Sequence, residues 1–388
     1  MSLENRDTVT APRKQVSEVY DAIVPREEER IYVASQWQLM KWKFQKHKMA
    51  IFGGVVLIVF YVLAMFCEFF APYDPLKFDP KLIFVPPQQI HFRDENGFRG
   101  PFVYGIKQQI DPVSFRRTYA SDPTRTYKVK LFAKGDPYEM WGVFEGNLHF
   151  IGTEENAGPL HLVGTDRMGR DLLSRLITGS RISLSIGLVG VFSSLILGIL
   201  IGGFSGYYGG LIDVLSQRLI EFLRSVPTLP LWMALSAAVP PFWSPTRVYF
   251  GITIILSLIG WTGMARVVRS RFLALREEDF VMAAQLAGSN EFRIVVRHMV
   301  PSFLSHIIAS VTLSIPGMIL GETSLSFLGV GLRPPVVSWG VMLQEAQQLS
   351  AVALSPWLLA PGVAIVLAVL CFNFLGDGLR DAADPYSR

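Results

Sequence analysis

Residues able to do covalent or proton chemistry occur in this chain, but not at the spacings that such chemistry needs. A phosphate cradle requires a Gly-rich loop ending in Gly-Lys-Ser/Thr, a zinc peptidase His-Glu-x-x-His, and an acyl-transfer elbow Gly-x-Ser-x-Gly. None of these occurs in the 388 residues. His91, His149 and His161 stand singly and read as surface histidines. Cys67 and Cys371 both fall in long apolar runs, so no disulfide framework is expected. Glu68 and Glu322 sit at the ends of such runs, whereas the relays of an ion-coupled carrier lie inside them. No catalytic residue, cofactor site or metal site is predicted.

The informative spacing is that of a docking element. It runs from Leu275 to Gly288 and on through Ser289 to Pro301. Glu277, Glu278 and Asp279 favour a helix N-terminus, and Gly288 suits the left-handed residue that ends a helix. A second helix is predicted to start at Ser289 or Asn290 and to stop before Pro301, which lacks an N–H. Phe280, Ala283, Ala284 and Ala287 recur at three- and four-residue spacing, which puts them on one face with room for a close approach. Such a face suits a groove on another protein.

The elements that position this loop follow from the charge pattern. Half of the residues are apolar and 18% are charged, below the quarter usual in a soluble domain. The charges are absent from whole stretches, and six runs approach the length of about 20 residues that crosses a bilayer as helix. They are Ala50 to Ala71, Ile182 to Gly206, Ser225 to Val239, Val248 to Ala265, Ser302 to Gly321 and Pro356 to Leu375. Pro227, Pro230, Pro240 and Pro241 interrupt or flank the third. Lys41, Lys43, Lys46 and Lys48 precede the first run, and Arg266, Arg269, Arg271, Arg276, Arg293 and Arg297 lie between the fourth and fifth. By the positive-inside rule both termini and this loop are expected in the cytoplasm. The net charge of +4 gives no reason to expect nucleic acid; lipid is the expected surroundings.

Five segments are expected along the chain. Residues 1–48 form a charged cytoplasmic segment ending in an interfacial or protein-binding helix around Trp37 and Trp42, and 49–71 are the first span, retained as an anchor. Residues 72–180 form an extracytoplasmic strand-and-loop insert, 181–377 the remaining spans with the loop at 266–301, and 378–388 a cytoplasmic tail. Before the second run, Thr165 or Asp166 can cap a helix whose stripe of Leu172, Leu173, Leu176 and Ile177 would lie on the outer membrane surface, its Arg and Asp residues solvated or paired. Gly190, Ser194, Gly198, Gly202, Gly206 and Gly210 recur every fourth residue, a row along which another helix can approach for a few turns.

The loop resembles the EAA loop of binding-protein-dependent ABC importer permeases. Ala283, Ala284, Gly288 and Pro301 match its motif, while Met282 stands where the motif has Glu and removes one polar contact. Further stretches are similar to the dipeptide/oligopeptide branch: Gly164 to Asp171 with Ser174, Arg175 and Arg181 to Ser183; Gly206 to Gly210 with Asp213; Leu325 to Gly329 with Pro334, Pro335, Trp339 and Gly340; and Phe372 to Asp381 with Asp384 and Pro385. The resemblance implies an all-α integral membrane protein, with six spans of the type I importer permease fold and an insert after the first. It implies a coupling loop carried by Phe280, Met282, Ala283, Ala284, Gly288 and Pro301. The implied partners are a homologous permease, two ATPase subunits and an extracytoplasmic solute-binding protein. The implied activity is import of a peptide-like or oligosaccharide solute across a bacterial inner membrane. An ion-coupled carrier or channel, and a membrane scaffold, are the competing readings.

Overall fold

The structure, a computed structural model, describes residues 35–94, 97–110, 112, 117–154 and 158–383. The charged segment 1–34 and the Asp384–Pro385 pair lie outside the described residues. The first helix, α1 (Gln36–Lys46), starts at a capping box in which the Gln38 N–H donates to Ser35 Oγ and the Ser35 N–H to Gln38 Oε1. Trp37 and Trp42 are exposed on it, and Met40 is buried. The first span is α2 (Lys48–Met65). It packs on the last helix through Gly53, where an added Cβ would lie 2.7 Å from Cys371 O.

After a short helix at Cys67–Phe70, the chain builds a four-stranded antiparallel meander from β1 (His91–Asp94), β2 (Gly97–Ile110), β3 (Arg117–Met140) and β4 (Phe144–Thr153). The 24-residue β3 serves two neighbours, its first half pairing with β2 and its second with β4. His149, read as a surface residue, is buried. Its ring nitrogens lie 2.5 Å from Ala71 O and 2.8 Å from Asp136 O, and the first contact ties the sheet to the end of the short helix that follows the first span. Burial holds the Tyr73 hydroxyl above the usual phenol range, and that oxygen accepts the Leu160 N–H.

The second span, α3 (Leu172–Tyr208), has 37 residues and is therefore about 55 Å long. Its cap is Asp171, whose carboxylate accepts the Ser174 N–H at 2.7 Å, and not Thr165 or Asp166. The apolar stripe of Leu172 and Leu176 therefore belongs to the span itself and not to a separate surface helix. The charges before it are buried. Asp166 accepts from Arg170 and Arg175, and both arginines also reach Glu345 at 2.8 and 3.1 Å. His161 is buried too, with Nδ1 2.9 Å from Asp171 Oδ1. The chain never solvated these groups because the outer loop carrying Glu345 folds over them.

The third apolar run does not form one helix. Only Thr228–Ala237 of it is helix, α5; its first residue, Ser225, ends the preceding charged helix α4 (Gly210–Ser225), and the break falls at Val226–Pro227. At 10 residues α5 is about 15 Å long, half a bilayer. Pro227 has no N–H to donate and pushes Val226 into an extended conformation, so Ser225 ends one helix and Pro227 precedes the next. Asp213 near the start of α4 pairs with Arg269, while the chain after α5 lies against Val330 to Val336 at the opposite end of the bundle. Among the described residues five helices are long and apolar enough to span alone, and α5 is a shorter apolar helix.

The remaining spans are α6 (Pro245–Leu275), α9 (Leu304–Phe327) and α11 (Ala360–Ala383), separated by the loop helices α7 (Asp279–Leu286) and α8 (residues 291–302) and, after α9, by α10 (Trp339–Gln344). Leu184, Leu256, Ile315, Ile319, Trp339 and Phe372 form the main core between them. The small-residue row of α3 meets α6 from Gly190 at Ser257 to Gly206 at Phe272, about four turns; Gly210 falls outside it. Glu322 is not at a span end. It is fully buried within α9, accepting from Ser326 and Ser338 at 2.8 Å, while Ser338 caps α10 and the Trp339 N–H donates to Ser183 Oγ.

The row yields a paired test. A Cβ on Gly202 would lie 2.3 Å from Ala265 O, whereas one on Gly263 would meet nothing within 4 Å. Gly202→Ala is expected to push two backbones apart and lower stability in detergent by about 1–3 kcal/mol. Gly263→Ala, in the helix interior, is expected to be neutral or to raise stability by up to about 1 kcal/mol. Thermal unfolding of the two variants reads this difference, and equal midpoints would remove the row from the packing.

Candidate coupling site

The loop between α6 and α9 folds as a helical hairpin on the end of the bundle. α7 begins at Asp279 after Glu278, and its end is a complete Schellman turn. The Ser289 N–H donates to Ala284 O and the Gly288 N–H to Gln285 O, at 3.1 and 2.9 Å. Gly288 is left-handed, with φ +73°, as its place in the sequence predicts. Asn290 then caps α8 by accepting the Arg293 N–H at 2.7 Å.

Pro301 does not stop α8. The helix widens to a π turn over Ile294–Met299, the Val300 N–H reaches back to Val295 O, and Pro301 sits within the turn Val300–Ser302. A five-residue hydrogen-bond spacing absorbs the donor that proline lacks. Pro301 thus lies where the hairpin rejoins α9.

The inward face of α7 is Val281 and Ala284, which pack on Phe272, Ile294, Met299 and Phe303. Phe280, Ala283 and Ala287 are exposed, so Ala284 does not share their surroundings as its spacing predicted. Both rows on this short helix are apolar, and only the tertiary partner chooses between them. Met282 is also exposed, and Leu286 is 90% exposed. Phe292 and Val296 of α8 extend the surface. Sequence spacing missed Val281 as the anchor and Leu286, Phe292 and Val296 as the outer face. Their signal was present as large apolar residues in a charged loop.

Polar contacts brace the hairpin from the side. Gln285 Nε2 donates to the Tyr207 hydroxyl at 3.1 Å, and the Tyr208 hydroxyl donates to Glu291. Arg269 makes a two-pronged pair with Asp213. Among the described residues, no group of His, Cys, Asp and Glu is arranged to hold a metal ion. The geometry presents an apolar surface on a braced mount: it can bind a protein groove and transmit a displacement to α6 and α9.

Residues 196–388 match the family model of the binding-protein-dependent transport system inner membrane component, and residues 35–87 that of the N-terminal TM domain of oligopeptide transport permease C. Residues 88–195, which include the sheet, lie in neither match. The oligopeptide transport system permease protein OppC of Haemophilus influenzae is 41% identical over 229 residues, 59% of this chain and 71% of that protein. The dipeptide transport system permease protein DppC of Bacillus subtilis is 38% identical over 240 residues, 61% and 72% of the respective chains. Among solved structures, a chain of the inward-facing MetNI methionine ABC transporter matches with TM-score 0.41 and 19% identity, over 54% of this chain and 96% of that one. The chain belongs to the family of binding-protein-dependent transport system inner membrane components, and is a multi-pass permease subunit of an ABC importer.

Proposed function

We propose that the hairpin 279–302 is the surface on which an ATPase subunit docks, and that the assembled importer contains this chain, a homologous permease, two ATPases and an extracytoplasmic solute-binding protein. The carrying observation is the exposed row of Phe280, Met282, Leu286 and Phe292 on a mount whose other face is buried. A rigid contact at that row moves Val281 and Ala284, and through them Phe272 at the end of α6 and Phe303 at the start of α9. Closure of the ATPases on ATP is thereby converted into reorientation of two spans.

Peptides are the proposed cargo, supported by the names of the oligopeptide and dipeptide permeases to which the chain is similar. The Lys and Arg distribution supports placing both termini and the hairpin on the cytoplasmic side of a bacterial inner membrane. The test is uptake of a labelled peptide into proteoliposomes holding the purified assembly. Uptake is expected to require both ATP inside the ATPase compartment and the solute-binding protein opposite. Uptake by this chain alone, or driven by an ion gradient without ATP, would overturn the reading in favour of a carrier.

A further inference from the structure

The second half of the sheet carries apolar residues that its small core does not use. That core is Val103, Val129 and Leu160 with a few neighbours. Phe132, Trp141, Val143, Phe144 and Phe150 are instead exposed, Val143 by 73%. They lie on the β3–β4 hairpin, whose turn joins Met140 to Phe144.

The contacts of this hairpin fix its direction. About midway along it, where His149 pairs with Ala133, His149 and Asp136 meet at the level of Ala71, since the His149 ring touches both Ala71 O and Asp136 O. At its tip the Trp141 Nε1–H donates to Met65 O at 2.8 Å, and its ring lies 5.5 Å from that of Phe66. From its middle to its tip the hairpin therefore runs back along the chain from Ala71 to Met65, towards the bilayer. Met65 is the last residue of the first span, and Arg181 caps the same carbonyl and pairs with Glu68 there. An Arg–Glu pair at the end of an apolar helix marks the headgroup level, the level that tryptophan prefers. Val62 and Met65 are exposed on the span just below, so the apolar surface of the tip continues the lipid-facing surface of α2.

We propose that the β3–β4 hairpin seats its tip in the outer leaflet, with the boundary between phospholipid headgroups and acyl chains as its partner. The depth is limited by the cross-strand pair Glu139 and Glu145, both exposed, one register step behind Met140 and Phe144. Two residues of strand and the turn place about 7 Å of hairpin beyond those carboxylates, within the range of about 5–10 Å by which amphipathic surface elements enter the interface. The two acids also make a neutral headgroup the better partner than an anionic one. The insert is thus held at a fixed height over the spans instead of swinging on the segment 71–90.

The test uses the full chain in nanodiscs of phosphatidylcholine, with an environment-sensitive fluorophore on Val143→Cys and, as the control, on Arg125→Cys, an exposed position on the half of β3 that pairs with β2. Cys67 and Cys371 are buried, and the unsubstituted chain measures any labelling of them. Lipid carrying a nitroxide near the headgroup end of its acyl chain is expected to quench the Val143 probe at least about twofold more than the Arg125 probe. Equal quenching at the two sites would overturn the proposal. So would a Val143 probe that is unquenched in the lone chain and shielded only after a second permease is added, since the tip would then be a subunit contact.

Discussion

Gly288→Val is expected to leave the amount of membrane-inserted chain near normal while peptide transport and substrate-stimulated ATP hydrolysis fall together, by about tenfold. A Cβ at this position meets no atom within 4 Å, so the substitution makes no clash. Its cost is conformational, because φ is +73° and a branched residue in the left-handed region loses roughly 1–2 kcal/mol. That is too little to unfold the bundle, but relieving it requires opening the turn in which Ser289 and Gly288 donate to Ala284 and Gln285. α7 then tilts, and Phe280 and Leu286 leave their places; a loss of about 1.4 kcal/mol at the docking step is a tenfold loss of occupancy. Gly288→Asn is the control, since asparagine tolerates this conformation, and it is expected to retain most of the activity. A Gly288→Val chain with normal transport would reduce the hairpin to a connector. Equal failure of the Val and Asn variants would assign the effect to something other than backbone strain.

The second large effect is expected at Asp166. Asp166→Ala should lower stability by about 3–5 kcal/mol, the usual cost of leaving buried charge without its partner. Asp166 is fully buried and accepts at once from the Arg170 Nε–H, from Arg175, and from the N–H groups of Met168 and Arg170. Glu345 alone would then face two guanidinium groups, of which Arg175 is 1% exposed. The effect is read as a lower thermal midpoint in detergent and lower yield of monodisperse protein. Asp166→Ala with Arg175→Met removes one charge of each sign and is expected to recover part of the loss, which a general packing defect at position 166 would not allow. A midpoint for Asp166→Ala within experimental error of the parent would show that these groups are hydrated in the protein.

These two sites differ in how far the sequence revealed them. The hairpin is local, and its signals are local: acids before a helix, glycine after it, asparagine at the next cap. Its glycine conformation was therefore legible. The inward face was not, because Phe280, Ala283 and Ala287 make as good an apolar row as Val281 and Ala284, and the choice rests with Phe272 and Ile294 on other helices. The charge cluster is the opposite case. Arg170 meets Glu345 across 175 residues of sequence, and no periodicity connects them. Read locally, Asp166, Arg170 and Arg175 look like a solvated helix start.

What the sequence by itself determined was the medium and the punctuation. Long uncharged runs must be helices in lipid, since a bilayer offers the backbone no other hydrogen-bond partner, and those at Lys48–Met65, Leu172–Tyr208, Pro245–Leu275, Leu304–Phe327 and Pro356–Ala383 are helices. Prolines mark where that rule breaks, as at Pro227, and glycine marks the left-handed turn at 288. Only the tertiary structure decided which polar groups are buried. Glu322, His149, His161 and Asp166 have the residue types of exposed groups and gain their burial from hydroxyls, carbonyls and guanidiniums supplied by distant segments. The physical reason is that a backbone seeks hydrogen bonds within a few residues, whereas a buried charge is made tolerable by whichever partners the packing of whole elements brings beside it.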